Sequence, residues 1–294
     1  MSRAVRDEET GMILVNVLLF VAIASGLVLL MINREELALD QSLRSTDAAR
    51  ALAVARGGET SAIVALRRDL VTSPTIDHQG EDWAKLQERG AKIDGGSFDL
   101  AIADAQGRFN INNVREFDAS DLMLFRKIAL AAGFTEDQAM AAAGLVREYG
   151  PVSDLRPLRL AGIDPKVLDR LDTMVTALPG KRTINLNSAS PELLGLLFGD
   201  QETLDRLLAT RRQRGYLTRA DFTDAGLSLQ PGTSFNSDIF WVHSGVTLGE
   251  TRQEEAALIV RGIDSQGVPH AAAVERWRNS AIPPEAPAFA PTSR

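Results

Sequence analysis

Gly11-Met12-Ile13-Leu14-Val15-Asn16-Val17-Leu18-Leu19-Phe20 opens a run that stays apolar to Ile32, broken only by Asn16, Ser25 and Gly26. About 21 residues of helix span roughly 31 Å, the thickness of a bilayer's hydrocarbon core. Asn33-Arg34-Glu35-Glu36 turns polar, yet no proline follows until Pro74. Apolar residues then recur at helical spacing: Leu39, Leu43, Leu52, Ala55, Ile63, Leu66 and Leu70. The pattern predicts one rod over residues 12–70, half lipid-facing and half amphipathic, on the order of 80–90 Å long if straight. A cleaved secretory signal fits poorly. The leader mixes Arg3 and Arg6 with Asp7, Glu8 and Glu9, and the apolar run is too long and flows directly into more helix. Lysine and arginine on the two flanks do not differ enough to set the orientation.

The remaining totals bound the function. At 294 residues the chain can hold the anchor and one or two globular units. A net charge of −7 argues against nucleic acid as the main partner. With no cysteine there is no disulfide framework, zinc-thiolate site or cysteine nucleophile.

Beyond Pro74 the chain changes period. Residues 97–104 alternate, with Phe98, Leu100 and Ile102 on one face; Ala105-Gln106-Gly107 supplies a turn, and residues 108–112 read as the returning strand. Residues 116–229 are helical. Ser120-Asp121 can open a helix burying Leu122, Phe125, Ile128 and Leu130. Thr135 to Gln138 has capping-box spacing, while Asp164-Pro165 and Ser190-Pro191 each put a good N-cap before a first-turn proline. Strands resume at 239–242, 244–248, 256–263 and 271–277, with Asp264-Ser265-Gln266-Gly267 turning between the last two. The tail, residues 279–294, rich in proline and alanine, reads as disordered. A helical block bracketed by strands of one sheet is best read as an insertion. The fold class is α+β: a long N-terminal helix packed on an antiparallel sheet (residues 71–115 and 230–278), with a large inserted all-α domain.

The junction at Gly11 and Met12 resembles a type IV prepilin signal: a short charged leader (residues 1–11) ends in glycine before an unbroken apolar helix. The resemblance implies cleavage after Gly11 by a prepilin peptidase and methylation of the Met12 amine. Most members carry glutamate at the fifth mature position, which here is Asn16. Its absence, the helical insertion in a pilin-like sheet, and the runs Gly107-Arg108-Phe109-Asn110-Ile111-Asn112-Asn113, Leu178-Pro179 and Ile184-Asn185-Leu186-Asn187-Ser188-Ala189 resemble the minor pseudopilin protein K of type II secretion systems. That family implies a non-enzymatic inner-membrane protein with its bulk in the periplasm. Its role would be to prime and cap the pseudopilus tip with minor pseudopilins I and J, alongside other pseudopilins and the inner-membrane assembly platform. Asn16, Leu39, Leu43, Leu52, Ile63, Leu66 and Leu70 would then serve assembly. No cofactor is expected. Calcium occurs in the family's helical domain, but the acidic loop between Ala143 and Pro151 is shortened here, which puts calcium in doubt.

The competing function is a membrane-anchored DNA-uptake receptor. Residues 184–194 followed by Arg211-Arg212-Gln213-Arg214-Gly215-Tyr216 look like a helix-hairpin-helix unit, which binds DNA phosphates through backbone amides. Here the hairpin Phe198-Gly199-Asp200-Gln201-Glu202 lacks the second glycine and puts carboxylates where phosphate would sit. The neighbouring arginines are matched by acids, so no nucleic acid is expected. His78, His243 and His270 are far apart with no metal-ligand spacing, and acidic pairs such as Asp99/Asp104 and Glu254/Glu255 read as solvated positions. No P-loop, nucleophile elbow or dinucleotide fingerprint is present.

Overall fold

The computed structural model describes residues 4–116, 118–159 and 162–289, with side chains from Val15 onward, so the start of the leader and the side chains of Gly11 and Met12 lie outside the described residues. One helix, α1 (Ala4–Thr72), carries the whole N-terminal stretch. The short α2 (Asp82–Lys85), the edge strand β1 (Glu88–Ile93) and β2 (Gly96–Asp104) follow. A two-residue strand, β3 (Phe109–Asn110), and a 3-10 turn at Ile111–Glu116 lead into α3 (Ala119–Ala132), α4 (Glu136–Tyr149), α5 (Arg156–Arg159) and α6 (Pro165–Leu171). Two short strands, β4 (Val175–Thr176) and β5 (Ile184–Asn185), precede α7 (Pro191–Phe198), α8 (Gln201–Arg214) and α9 (Arg219–Asp224). After β6 (Thr233–Ser234) come three long strands, β7 (Ile239–Leu248), β8 (Thr251–Ile263) and β9 (Pro269–Arg278).

The five long strands form one antiparallel sheet in the order β1-β2-β7-β8-β9. β2 and β7 pair from Asp104↔Phe240 to Gly96↔Leu248 although residues 105–238 separate them, so the helical block leaves and re-enters the sheet at adjacent points. The expected α+β architecture with a helical insertion holds.

Small residues decide how α1 meets the sheet. Ala51, Ala55, Ala62 and Leu66 are buried along one line of the helix. Gly58 lies on that line, and a Cβ there would stand 2.7 Å from the Phe98 ring. Below them Leu100, Ile102, Phe240, Val242 and Ile259 form the core between helix and sheet. The insertion has its own core, built on Phe109, Phe125, Ile128, Leu171, Leu194 and Phe222. Three of its helices start where caps were expected, whereas α3 opens at Ala119 with Asp118, not Ser120, as its N-cap. Thr135 and Gln138 form a reciprocal capping box, and Asp164 and Ser190 accept from Lys166 N and Leu193 N.

Several expectations are corrected. The predicted hairpin between residues 97–104 and 108–112 does not form: β2 pairs with β1 and β7, and residues 109–110 pair in parallel with β4. The reason is the asparagine run. Asn110 donates to Gly180 O (2.7 Å), Asn113 to Arg182 O (2.8 Å), and Asn112 to Val152 O and Leu178 O (both 2.9 Å), so side chains tie this segment to the insertion. Residues 239–242 and 244–248 are one strand, and the helical block is bounded at 105 and 238 rather than 116 and 229. Leu130 is exposed, with Ala129 taking the core position. The tail is packed as far as Phe289. Ile282 and Ala286 rest on the second face of the sheet, and Phe289 stacks on His243 at 4.1 Å.

Helix, sheet and insertion meet at one buried guanidinium. Arg261 of β8 donates from Nη1 to Asp69 Oδ2 (2.7 Å) and Leu66 O (3.1 Å), from Nε to Ser237 O (3.3 Å), and from Nη2 to Asp77. Asp77 in turn accepts from Ser237 N (2.7 Å), and its backbone carbonyl accepts from Asn185 Nδ2 (3.0 Å). One cation cannot fully offset two buried carboxylates. Burial raises Asp69 above its usual range and Asp77 to about 7. Because folding raises both values, the fold favours the neutral forms. Their contribution is complete below the ordinary carboxylate range and is lost as pH rises through about 7. Thermal unfolding followed from pH 4 to 8 should therefore show a decline that is flattened in Asp77→Asn. Arg261→Met, which leaves two buried acids without their cation, should cost about 3–5 kcal/mol at neutral pH in chemical denaturation.

Candidate assembly surface

Within α1 an 18-residue window has mean hydropathy 2.7 and none of it is buried by the rest of the chain. Val15, Phe20, Leu29 and Met31 are all exposed, and Asn16 stands among them. This stretch is long and apolar enough to cross a membrane. Leu37, Leu39 and Leu43 follow it and are also bare, each more than 60% exposed.

The remaining residues expected to serve assembly divide by face. Leu66 is fully buried against the sheet, so it belongs to the subunit's own core and is corrected here. Leu52, Ile63 and Leu70 are half-buried, and Ile63 packs at the edge of that core. Leu39 and Leu43 stay free, and at 100° per residue they share a flank of roughly 100° with the exposed Val54, Val64 and Val71. The three valines were missed because the leucines carry the louder periodic signal. The small residues Ala51, Ala55, Gly58 and Ala62 mark the sheet-facing line and could have located the opposite flank.

Ion pairs fix α1 on the sheet from both sides. Glu59 accepts from Arg276 of β9 at 2.8 and 2.7 Å, and Arg44 reaches Glu250 at 3.4 Å. Arg50 approaches Asp94 in the β1–β2 turn at 3.9 Å. The β1–β2 turn therefore lies beside the middle of the rod, whereas Arg261, Asp77 and the insertion lie at its C-terminal end.

The helix-hairpin-helix segment is turned to structural use. Gly199 (φ 71°) ends α7, and the Asp200 carboxylate accepts from Thr203 N at 2.8 Å, filling the N-terminus of α8. Hydrogen bonds from Thr203 hold that carboxyl below its usual range, so an anion already sits where a phosphate would bind. Arg211 points inward, donating to Ala189 O (2.7 Å) and Leu186 O (3.1 Å).

Metal chemistry fits no better. Among the described residues, Asp69, Asp77 and Glu81 are the carboxylates spaced to hold an ion, but Arg261 already bridges the two aspartates. Glu81 accepts from His78 N (2.9 Å) and Trp83 Nε1 (3.0 Å). The stretch between Ala143 and Pro151 is the end of α4, and just beyond it Asp154 is committed to Arg156 and Val152 to Asn112. Among the described residues these carboxylates are taken by protein donors and do not form a calcium cage. His78 stacks on Tyr216, His243 lies under the tail, and His270 is in β9.

No family model matches the chain. It is 28% identical to type II secretion system protein K of Pseudomonas aeruginosa over 311 residues, covering 89% of this chain and 91% of that protein. It is also 28% identical to the protein of the same name from Klebsiella pneumoniae, over 85% of this chain and 92% of that one. Among solved structures, a chain of the GspK-GspI-GspJ complex from the enterotoxigenic Escherichia coli type 2 secretion system superposes with a TM-score of 0.62. Identity there is 19%, and the match covers 82% of this chain and 99% of that one. With near full-length matches to two relatives and a shared fold, the chain is a homologue of type II secretion system protein K, a minor pseudopilin of the secretion apparatus.

Proposed function

We propose that this chain primes and caps the pseudopilus tip, anchored by a single span in the inner membrane with its bulk in the periplasm. The observation that carries the reading is where the insertion sits. Residues 105–238 crown the C-terminal end of α1, farthest along the rod from the apolar stretch. A block of this size has a radius of gyration of about 13–14 Å. Repeated at every step of a narrow filament, it would collide with the subunit above; a terminal subunit has none above it. Asn16 supports the same position, because a neutral side chain offers no carboxylate to an amine arriving from a neighbour in apolar surroundings.

On this reading the exposed flank from Leu39 through Val71 meets the helices of minor pseudopilins I and J, the partners named with the Escherichia coli protein. Other pseudopilins and the inner-membrane assembly platform act lower in the filament. The prepilin peptidase cuts between Gly11 and Met12 and methylates the Met12 amine. Intact-mass measurement of the membrane-extracted protein should return a chain starting at methylated Met12, and Gly11→Leu should leave it uncut with its periplasmic part folded. An intact Met1, or a start beyond Ser25, would refute the processing.

Photocrosslinkers at positions 39, 43, 54 and 64 should capture other minor pseudopilins and not a second copy of this chain. Regular self-crosslinked ladders would contradict the tip assignment. The DNA-receptor reading makes the opposite demand of Arg211. With its guanidinium on two backbone carbonyls, Arg211→Ala should lower stability by about 1.5–3 kcal/mol. A salt-dependent duplex affinity of the full chain that disappears with Arg211 and Arg212 would reverse this assignment.

A further inference from the structure

Where α1 ends, three acids crowd one guanidinium. An oxygen from each of the Asp69, Asp77 and Glu81 carboxylates lies within 4.8 Å of the other two. Among the described residues the cation paired there is Arg261, which meets both aspartates. Glu81 is turned to neutral donors, His78 N and Trp83 Nε1. From the β2 side Asp104 acts on Asp77 across Ser237, whose N–H donates to Asp77 and whose hydroxyl donates to Asp104. The other charged groups nearby do not offset these acids. Arg67 and Arg68 of α1 are exposed, and the His78 ring stacks on Tyr216.

A buried cluster with this excess of negative charge is most stable with a proton in it. Burial raises both aspartates, Asp77 to about 7, and a hydrogen bond between the two carboxyls is one of the influences that draw Asp69 back down. The two are thus close enough for a carboxylic acid to donate to a carboxylate, and they titrate as a pair. They are not equivalent. Asp77 is fully buried and holds Ser237 N as well as Arg261, whereas Asp69 lies nearer the surface and its side chain has only Arg261 and Asp77. Asp69 is also the last side chain of α1 bonded to the sheet. Beyond it Thr72 Oγ1 turns back to Arg68 O and Asp69 O, and Val71 is bare.

We propose that Asp69 and Asp77 share one proton, and that this proton latches the last turn of α1 to β8. With the proton in place, one aspartate donates to the other and Arg261 serves both. Once it passes to solvent, two carboxylates face each other. Asp77, held by Ser237 N, keeps the guanidinium; Asp69 turns out to water, and residues 69–73 loosen while the sheet stays closed. The latch is held at acidic pH and lost as pH rises through about 7. Val71, at the end of the exposed flank, is fixed only in the protonated state.

Hydrogen exchange of the detergent-solubilised full chain at about pH 5.5 and about pH 8.5, corrected for the chemical exchange rate, tests this. Amides of residues 70–73 should lose about tenfold of their protection at the higher pH, with β7 amides unchanged. Asp69→Asn reproduces the protonated arrangement, its side-chain oxygen accepting from Arg261 while its NH2 donates to Asp77, and should keep these amides protected at both values. Asp69→Ala should leave them unprotected at both. Infrared spectra at the lower pH should show a carboxylic acid C=O band in the parent that is missing from Asp69→Asn. Protection of residues 70–73 that ignores pH, or that falls equally in Asp69→Asn, would overturn the latch. So would a parallel loss in β7, which would reduce the effect to global destabilisation.

Discussion

Arg261 has no water to fall back on. Its side chain is 1% exposed, and four of its five N–H groups donate to three different parts of the chain. Leu66 O and Asp69 come from the end of α1, Asp77 from the segment leaving it, and Ser237 O from the segment returning out of the insertion. The ring of Phe240 lies under the guanidinium at 4.5 Å. A buried ion pair is poor evidence of net stability, because desolvation consumes much of the Coulomb gain. Its consequence is geometric. A planar fork with fixed donors permits one arrangement of helix end, sheet and insertion, and an apolar side chain of the same volume would accept several.

The same joint explains how a pilin-like sheet tolerates a large insertion. Gln106 lies just past β2, and its side-chain oxygen accepts from Asp238 N (2.7 Å) and Ile239 N (3.1 Å), where the chain comes back. Its side-chain nitrogen donates to Thr183 O (2.9 Å). Gly107 is needed next to it, because a Cβ there would stand 2.6 Å from Ser188 O. Asn185 then ties Asp77 O, Asp104 and Ser237 together from inside the insertion. The paired strands β2 and β7 therefore close as if the intervening residues were a short loop. The insertion can be large without weakening the sheet, because the chain is pinned where it leaves and where it returns.

What the sequence made legible followed from periodic or capping physics, and what it hid depended on long-range partners. The rod, the helical block and the last three strands all carry period or cap signals that survive without tertiary context. β1 carries none: Glu-Arg-Gly-Ala-Lys-Ile does not alternate, and its place is set by pairing with β2 around a bulge. Asn110, Asn112 and Asn113 read as polar positions of a strand because their acceptors lie about 40 to 70 residues away. The tail read as disordered from its prolines, but proline disfavours regular pairing without preventing side-chain anchoring, and Glu285 and Phe289 supply the anchors. On α1, hydrophobic periodicity pointed to Leu66 as a contact for other subunits. Core and docking flank use the same kinds of residue, and only the neighbouring glycine and alanines separate them.

That division of α1 shows what the subunit lacks by itself. The helix passes through three environments: an apolar stretch to Ile32, a polar stretch carrying bare Leu37, Leu39 and Leu43, and a stretch bound to the sheet from Ala51 onward. The last carries the buried contacts with the sheet, and the second reaches it through surface ion pairs such as Arg44 with Glu250. A helix in water takes most of its stability from packing an amphipathic face, and the described apolar side chains of the first two stretches are exposed. Lipid can cover the first. It cannot cover the second, where Arg34, Glu35, Glu36 and Asp40 alternate with the leucines. A surface of that mixed kind suits neighbouring helices of similar character, with apolar ridges meeting and charges left at the rim. On the proposed reading an assembly completes the rod, and the insertion lies at its far end, beyond that flank.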